Sequence, residues 1–348
     1  MTLERQVFEW AADRMVPIAV QIHVTNRCHL ACGHCYRVME PLPELETHAI
    51  KDVLGQLAGA GTLQVTFSGG EPLLRPDLLE IARHARQMRM AVLLYTTATL
   101  LTPTLADALA EIGFLEVHVS IYSDDPAVHD GITGVQGSHE RSMAGISWLR
   151  ERRVPVRLKC SVMRDNLGSF RGVASLAAQL GCRYQFDPVL IPRTDGDRTP
   201  LARSLSPDEL ERYDSDPLVK LAGGEGPCGE ERERPGVRIR PETPGGAGYG
   251  CRDEGGGDPD EAPCAAGRAA CSISPYGEVT PCVALPLSGG NVRRQRFVDI
   301  WRESSTFRAI RELTRRDLES CQDCARSAHR DRCLAQIYLE DPAALRAL

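Results

Sequence analysis

An α/β fold is predicted for this 348-residue chain from three observations. Short apolar, strand-like runs alternate with stretches of helical period from residue 18 to residue 189. Each connection is long enough for a helical crossover, so successive strands run parallel with right-handed crossovers, as a layered α/β sheet or a barrel. Composition agrees: 42% apolar and 25% charged residues is the balance of a globular chain.

Residues 1–16 carry charges and lack an apolar signal core, which argues against secretion. Strands are predicted at Ile18–Val24, Leu63–Phe67, Met90–Thr96, Leu115–Ile121, Val156–Val162 and Arg183–Val189. Helices are predicted between them at Thr47–Ala60, Asp77–Met88, Thr104–Ile112, Ser138–Glu151 and Ser169–Leu180. Pro76-Asp77 and Thr102-Pro103-Thr104 mark two of the starts. The pattern then changes. Ile191–Arg203 reads as a polar loop, and Ser206-Pro207-Asp208-Glu209 as the start of a short helix. Residues 222–263, rich in Gly, Pro and charge, read as a linker or mobile loop without secondary structure. From Cys264 a strand–turn–strand is predicted over Cys271–Val283 around Tyr276-Gly277, then a helix around Asp299–Thr314.

Net charge is −6 and no long basic run occurs, which argues against nucleic acid as a partner. No run of 18 apolar residues exists, so no membrane span is expected and the location is read as cytoplasmic. The 13 cysteines carry the chemistry. An odd number without a signal segment argues for metal or redox chemistry over disulfides. Three lie at Cys28, Cys32 and Cys35, Cys160 and Cys182 stand alone in apolar surroundings as buried thiols, and eight fall between Cys228 and Cys333.

Cys28, Cys32 and Cys35 form C-x3-C-x2-C in the loop after the first strand, ending at Tyr36. Three close thiolates can hold one metal centre, yet a structural zinc site wants four ligands. A cubane with three cysteine ligands leaves one iron open; a partial zinc site or simple buried thiols are the alternatives. After the second strand comes Ser68-Gly69-Gly70-Glu71-Pro72. Paired glycines let backbone approach a ligand closely, and Glu71 offers an acceptor for an ammonium; a plain Gly-Gly turn is the alternative.

The stretch Val24-Thr25-Asn26-Arg27-Cys28-His29-Leu30-Ala31-Cys32-Gly33-His34-Cys35-Tyr36 resembles the signature of the radical S-adenosylmethionine (SAM) enzymes, and Gly69, Gly70 and Glu71 match that family's SAM-amine motif. The resemblance covers residues 17–190 and implies a partial (β/α)6 barrel. It implies a [4Fe–4S] cluster on Cys28, Cys32 and Cys35 at the C-terminal strand ends, where barrel enzymes place their chemistry. It further implies that SAM chelates the open iron and is reductively cleaved to a 5′-deoxyadenosyl radical. Tyr36, Thr96, Ser120, Lys159 and Asn166 are its softer cofactor-binding matches. Thr97 and Ala98 stand where the family usually has Asn and Gly. His118, His129 and His139 show no ligand spacing and read as structural.

The segment from Cys264 through Cys271, Gly277, Cys282, Gly290-Asn291 and Trp301 to Cys321 and Cys324 resembles the SPASM extension, which carries auxiliary iron–sulfur clusters. By family order, Cys264, Cys271, Cys282 and Cys333 would hold at least one auxiliary [4Fe–4S] cluster. Cys321 and Cys324 would supply two thiolates toward a second, to be completed from His329, Asp331, Cys228 or Cys251. A zinc-binding module is the alternative. The implied organisation is an N-terminal segment 1–16, a radical SAM core 17–190, a bridge 191–263 and a SPASM-like domain 264–348.

The resemblance implies an enzyme that modifies a ribosomally made peptide by hydrogen abstraction, served by an external flavodoxin- or ferredoxin-like electron donor. With 27 residues before Cys28, no peptide-recognition domain is expected there, so a separate recognition protein or a direct groove would serve. Tetrapyrrole modification and sulfatase-type side-chain oxidation are alternatives, as is a non-catalytic electron carrier, against which the paired SAM motifs argue.

Overall fold

The computed structural model describes residues 3–221, 225–226, 260–318 and 333–340. Helix α1 (Leu3–Asp13) precedes β1 (Ala19–Thr25), α2 (Thr47–Gly59), β2 (Gln64–Gly69), α3 (Leu78–Gln87), β3 (Ala91–Thr96) and α4 (Pro103–Ile112). Then come β4 (Glu116–Ser120), α5 (Pro126–Thr133), α6 (Ser138–Glu151), β5 (Val156–Ser161), α7 (Phe170–Leu180) and β6 (Arg183–Asp187). Adjacent pairs from β1 to β6 are parallel, giving an open (β/α)6 arc whose order follows the sequence. α8 (Pro207–Asp214), α9 (Pro217–Leu221) and β7 (Glu225–Gly226) follow, with β7 antiparallel to β6. β7 is strand within the stretch 222–263 that the sequence reading left without structure.

The C-terminal module joins the opposite edge of the same sheet. β8 (Ala270–Ile273) pairs parallel with β1, and β9 (Glu278–Thr280) and β10 (Gly290–Asn291) extend it antiparallel. Gly277, at φ +94°, makes the turn between β8 and β9, where a Cβ would lie 2.7 Å from Asn291 Oδ1. α10 (Phe297–Glu303), α11 (Ser305–Glu312) and α12 (Leu334–Glu340) complete the described chain. The single helix expected over Asp299–Thr314 is two, because Ser304 adopts an extended backbone (φ −58°, ψ 130°) between them.

Alternation along the strands divides the residues between two faces. Val20, Ile22, Val65, Phe67, Val92, Leu94, Val117, Val119 and Leu158 face the helices and form the main apolar core with Leu54, Leu57, Ile81 and Leu109. The opposite, concave face is polar: Gln21, His23, Thr66, Ser68, Tyr95, His118, Ser120, Arg157, Lys159 and Gln185. At its base buried Glu116 accepts from His118 (2.7 Å), Arg157 (3.0 Å) and Arg183. Burial opposes ionisation there, but the His118 hydrogen bond and the two guanidinium charges hold Glu116 down at about 2.

Candidate active site

The cysteine loop begins where β1 ends. Thr25 donates to Glu44 (2.5 Å), which also takes the Asn26 N–H (3.1 Å), while Asn26 Nδ2 donates to Val38 O (2.9 Å). These bonds close the loop at its root. Its tip hangs on α5, since Ala31 N donates to Thr133 O (2.9 Å) and Gly33 N to Ile132 O (3.3 Å). Gly134 (φ +69°) is required there, because a Cβ would stand 2.9 Å from Ala31 O. Helix α5 is absent from the sequence reading, although Asp125-Pro126 signals it: the Asp125 carboxylate caps Ala127 N at 2.8 Å.

Cys28 is exposed, and Cys32 and Cys35 are half-buried. Burial raises the Cys28 thiol and pushes Cys32 up to about 12; the charges of the neighbouring cysteines add to both. The three thiols therefore lie within one another's field, and a bound cation is what would ionise them together. No three His, Cys, Asp or Glu side chains are placed to hold a single bare ion among the described residues. His34, between Cys32 and Cys35, meets the Tyr122 hydroxyl at 3.1 Å, and burial holds it neutral at about 4. Arg203, paired with Asp165, covers Gly33 so closely that a Cβ there would lie 2.5 Å from its guanidinium.

Gly69 and Gly70 serve a close approach, but what approaches is the chain's own backbone. A Cβ on Gly69 would lie 2.2 Å from Thr25 O, and one on Gly70 2.2 Å from Arg27 O. Gly70 N donates to Thr25 O (2.7 Å) and Glu71 N to Arg27 O (2.8 Å), so the end of β2 is fused to the cysteine loop. The buried Glu71 carboxylate then accepts four bonds. Oε1 takes the Thr96 hydroxyl (2.6 Å) and Leu73 N–H (3.1 Å), and Oε2 the Thr97 N–H (2.8 Å) and hydroxyl (2.6 Å). Thr97, standing where the family usually has Asn, thus makes a side-chain contact to Glu71. The hydrogen-bond chain continues from Thr97 to Thr99 (2.9 Å) and on to His29 Nε2 (2.6 Å), whose buried Nδ1 has no partner among the described residues. Ala98, in the family's glycine position, adopts the glycine-like φ of +60°.

The other expected cofactor-binding residues divide. Ser120 hydrogen-bonds Tyr122, and Lys159 Nζ lies 4.6 Å over the Tyr95 ring, both on the concave face. Asn166 differs: its amide donates to Tyr122 O (2.8 Å) and Ser161 O (3.0 Å), and its oxygen takes Met163 N (2.8 Å). That side chain is turned into backbone and ties together the ends of β4 and β5. Tyr36 accepts from Arg37 (2.8 Å), which also meets His23 Nδ1 (2.9 Å), and neither Arg37 nor His23 was singled out from sequence. Cys160 and Cys182 are buried in the main core.

In the C-terminal module, Cys264, Cys282 and Cys333 pack around one small apolar core of Leu285, Ile310, Leu313 and Leu334, while Cys271 on β8 is buried toward the main core. Burial raises Cys282 to about 11, with Cys333 adding to the shift. Cys228, Cys251, Cys321, Cys324, His329 and Asp331 lie outside the described residues. The module grips the segment that follows the cysteine loop: Glu40 N donates to the Tyr276 hydroxyl (2.9 Å), Leu45 N to Pro275 O (2.7 Å) and Arg293 to Pro43 O (2.6 Å).

The family description Radical SAM superfamily matches residues 22–170, and SPASM, an iron–sulfur cluster-binding domain, matches residues 264–325. An AdoMet-dependent heme synthase of Methanosarcina barkeri is 30% identical over 311 residues, 85% of each chain. A PqqA peptide cyclase of Ruegeria pomeroyi is 30% identical over 340 residues, 94% of this chain and 86% of the relative. Among solved structures, Streptococcus suis SuiB bound to its precursor peptide SuiA superposes with a TM-score of 0.68 at 15% identity, over 95% of this chain and 76% of that one. On these matches the chain belongs to the radical SAM superfamily, with a C-terminal SPASM domain.

Proposed function

We propose that this enzyme reductively cleaves SAM and uses the resulting radical to abstract hydrogen from a ribosomally made peptide. A [4Fe–4S] cluster on Cys28, Cys32 and Cys35 supplies the electron for that cleavage when bound. The residues fit it: the three thiols share one field, on a loop fused through Gly70 and Glu71 to β2. Glu71, with no exposed surface and four donors on its carboxylate, sets the Thr97 and Thr99 hydroxyls in a polar edge beside the cysteine loop, suited to the ammonium and hydroxyl groups of SAM. The polar concave face, with Lys159, His23 and Arg37, would then orient substrate below it. Cys264, Cys271, Cys282 and Cys333 are the proposed ligands of an auxiliary cluster.

The observation that carries the peptide reading is alignment extent, since the peptide cyclase of Ruegeria pomeroyi aligns over 94% of this chain. A haem-precursor substrate is the second reading, favoured by heme synthases of up to 32% identity over 83% of the chain. Isotope transfer separates them. Short peptides encoded beside the gene, deuterated and incubated anaerobically with SAM and reductant, should pass deuterium into 5′-deoxyadenosine. Transfer from a deuterated haem precursor, with none from any peptide, would replace the first reading by the second.

A further inference from the structure

The hydrogen bonds that run from Glu71 to the cysteine loop have a fixed direction. The Thr97 hydroxyl donates to Glu71 Oε2 (2.6 Å), and a hydroxyl has a single proton to give. In its 2.9 Å contact with Thr99 the Thr97 oxygen is therefore the acceptor and Thr99 the donor. That uses the one proton of Thr99, so at 2.6 Å from His29 Nε2 the Thr99 oxygen must accept. His29 Nε2 is then the nitrogen that carries hydrogen, and in the neutral ring Nδ1 keeps its lone pair. The carboxylate thus sets the tautomer of a distant imidazole through two hydroxyls.

The hydroxyls in this relay are held in place by the fold. Thr97 N donates to Glu71 Oε2 (2.8 Å), and Thr97 O accepts from the Ser142 hydroxyl on α6 (2.7 Å). Ala98 N donates to the Thr96 hydroxyl (3.0 Å), whose own proton goes to Glu71, and Thr99 is buried. The far end of the relay, His29, follows Cys28 directly and precedes Cys32, so its ring belongs to the loop that would carry the cluster. A ring nitrogen with a lone pair accepts hydrogen bonds and gives none. It therefore has no bond to make with thiolates, sulfides or the carboxylate of SAM, which are acceptors too. The donors in such a site are the amine, the ribose hydroxyls and the adenine amino group of SAM.

We propose that His29 Nδ1 is a hydrogen-bond acceptor for a donor group of SAM, and that Thr97 and Thr99 are positioning residues that hold the ring in its accepting tautomer. Glu71 then acts on SAM from a distance. With no exposed surface and four donors on its carboxylate, it is occupied within the fold, and the loop imidazole presents the acceptor in its stead. The opposite tautomer, with hydrogen on Nδ1, would turn a donor toward the same place and lose that bond. The inference rests on SAM as the cofactor and is independent of the substrate.

The test is binding of radiolabelled SAM, by equilibrium dialysis without reductant, to the anaerobic, cluster-loaded full chain. Two substitutions divide the imidazole between them. His29→Asn puts an amide oxygen where Nδ1 stands and gives up the bond to Thr99. His29→Gln puts an amide nitrogen where Nε2 stands and leaves no acceptor at the Nδ1 position. His29→Asn should bind SAM within about twofold of wild type and His29→Gln about three- to tenfold more weakly, the effect of losing one hydrogen bond. The reverse order would make the bond to Thr99 a staple of the loop; that order, or equal affinities at unchanged iron content, overturns the proposal. Should the His29 variants lose iron, Thr99 carries the test. Thr99→Ser keeps the relay and should keep affinity, whereas Thr99→Val breaks it and should lose about threefold or more; a Thr99→Val protein that binds SAM like wild type overturns the proposal. A wild-type chain that holds iron but binds no SAM would overturn it through its premise, a result distinct from SAM binding that ignores His29.

Discussion

Replacing Glu71 by Gln removes a charge while keeping shape, and its cost can be worked from the four donors. Oε1 receives a hydroxyl and the Leu73 N–H; Oε2 receives a hydroxyl and the Thr97 N–H. A glutamine amide keeps one acceptor oxygen and turns the other position into a donor. Either hydroxyl can rotate to accept from it, but a backbone N–H cannot. Whichever way the amide points, one backbone donor, Leu73 N or Thr97 N, faces an NH2 group in a site with no exposed surface at Glu71. A buried donor left unsatisfied costs about 1–3 kcal/mol, and the lost charge assistance adds roughly 1 kcal/mol more. Glu71→Gln should therefore lose about 2–4 kcal/mol of stability before any SAM is added. Anaerobic urea unfolding followed by circular dichroism reads this as a lower midpoint at unchanged slope. A variant within about 0.5 kcal/mol of wild type would refute the reasoning, since Glu71 would then be only a ligand contact and not also the knot joining β2, β3 and the cysteine loop.

Ala98→Gly should leave stability within about 0.5 kcal/mol of wild type, because relief of a left-handed alanine at φ +60° is offset by the extra unfolded-state freedom of glycine and by loss of a fully buried methyl; a gain above about 1 kcal/mol in denaturant unfolding would contradict this. Glu116→Gln should cost about 3–5 kcal/mol by replacing with an uncharged amide the buried carboxylate that His118, Arg157 and Arg183 share, and denaturant unfolding measures it. Stability should also fall in two acid stages. Burial holds His118 and His129 at about 4, below the free value of 6.5, so the folded state resists their protonation and loses stability as pH drops from 6.5 toward 4. Glu116, held at about 2 against 4.5, contributes above 4.5 and loses its contribution toward pH 2. A thermal midpoint flat from pH 7 to 4 would sink the histidine stage.

The strands of the arc were legible to within two residues at most ends, because aliphatic runs in a parallel sheet are bounded by helix caps. Their polar partners went unread: Gln21-Ile22-His23-Val24 and Glu116-Val117-His118-Val119 alternate strictly, the signal of a sheet with one polar face, but are predicted above only as apolar strands. The cysteine spacing and the Gly69-Gly70-Glu71 run pointed to the candidate site, where the fold brings the two segments together. What spacing could not convey is tertiary. That the glycines admit the backbone of Thr25 and Arg27, that Thr97 grips Glu71, and that Asn166 is used up in joining strand ends all depend on contacts across the fold. The division of Asp299–Thr314 into two helices rests on one extended residue, Ser304, for which helical periodicity carries no signal.

The most direct test of radical SAM chemistry is 5′-deoxyadenosine formation by the anaerobic, iron-loaded protein with SAM and a strong reductant, set beside the variant in which Cys28, Cys32 and Cys35 are all Ala. Wild type should release 5′-deoxyadenosine and methionine together. The triple variant should release neither while keeping its auxiliary iron. SAM cleavage that persists in the triple variant, or a wild-type protein that carries the iron and leaves SAM intact, would contradict the account.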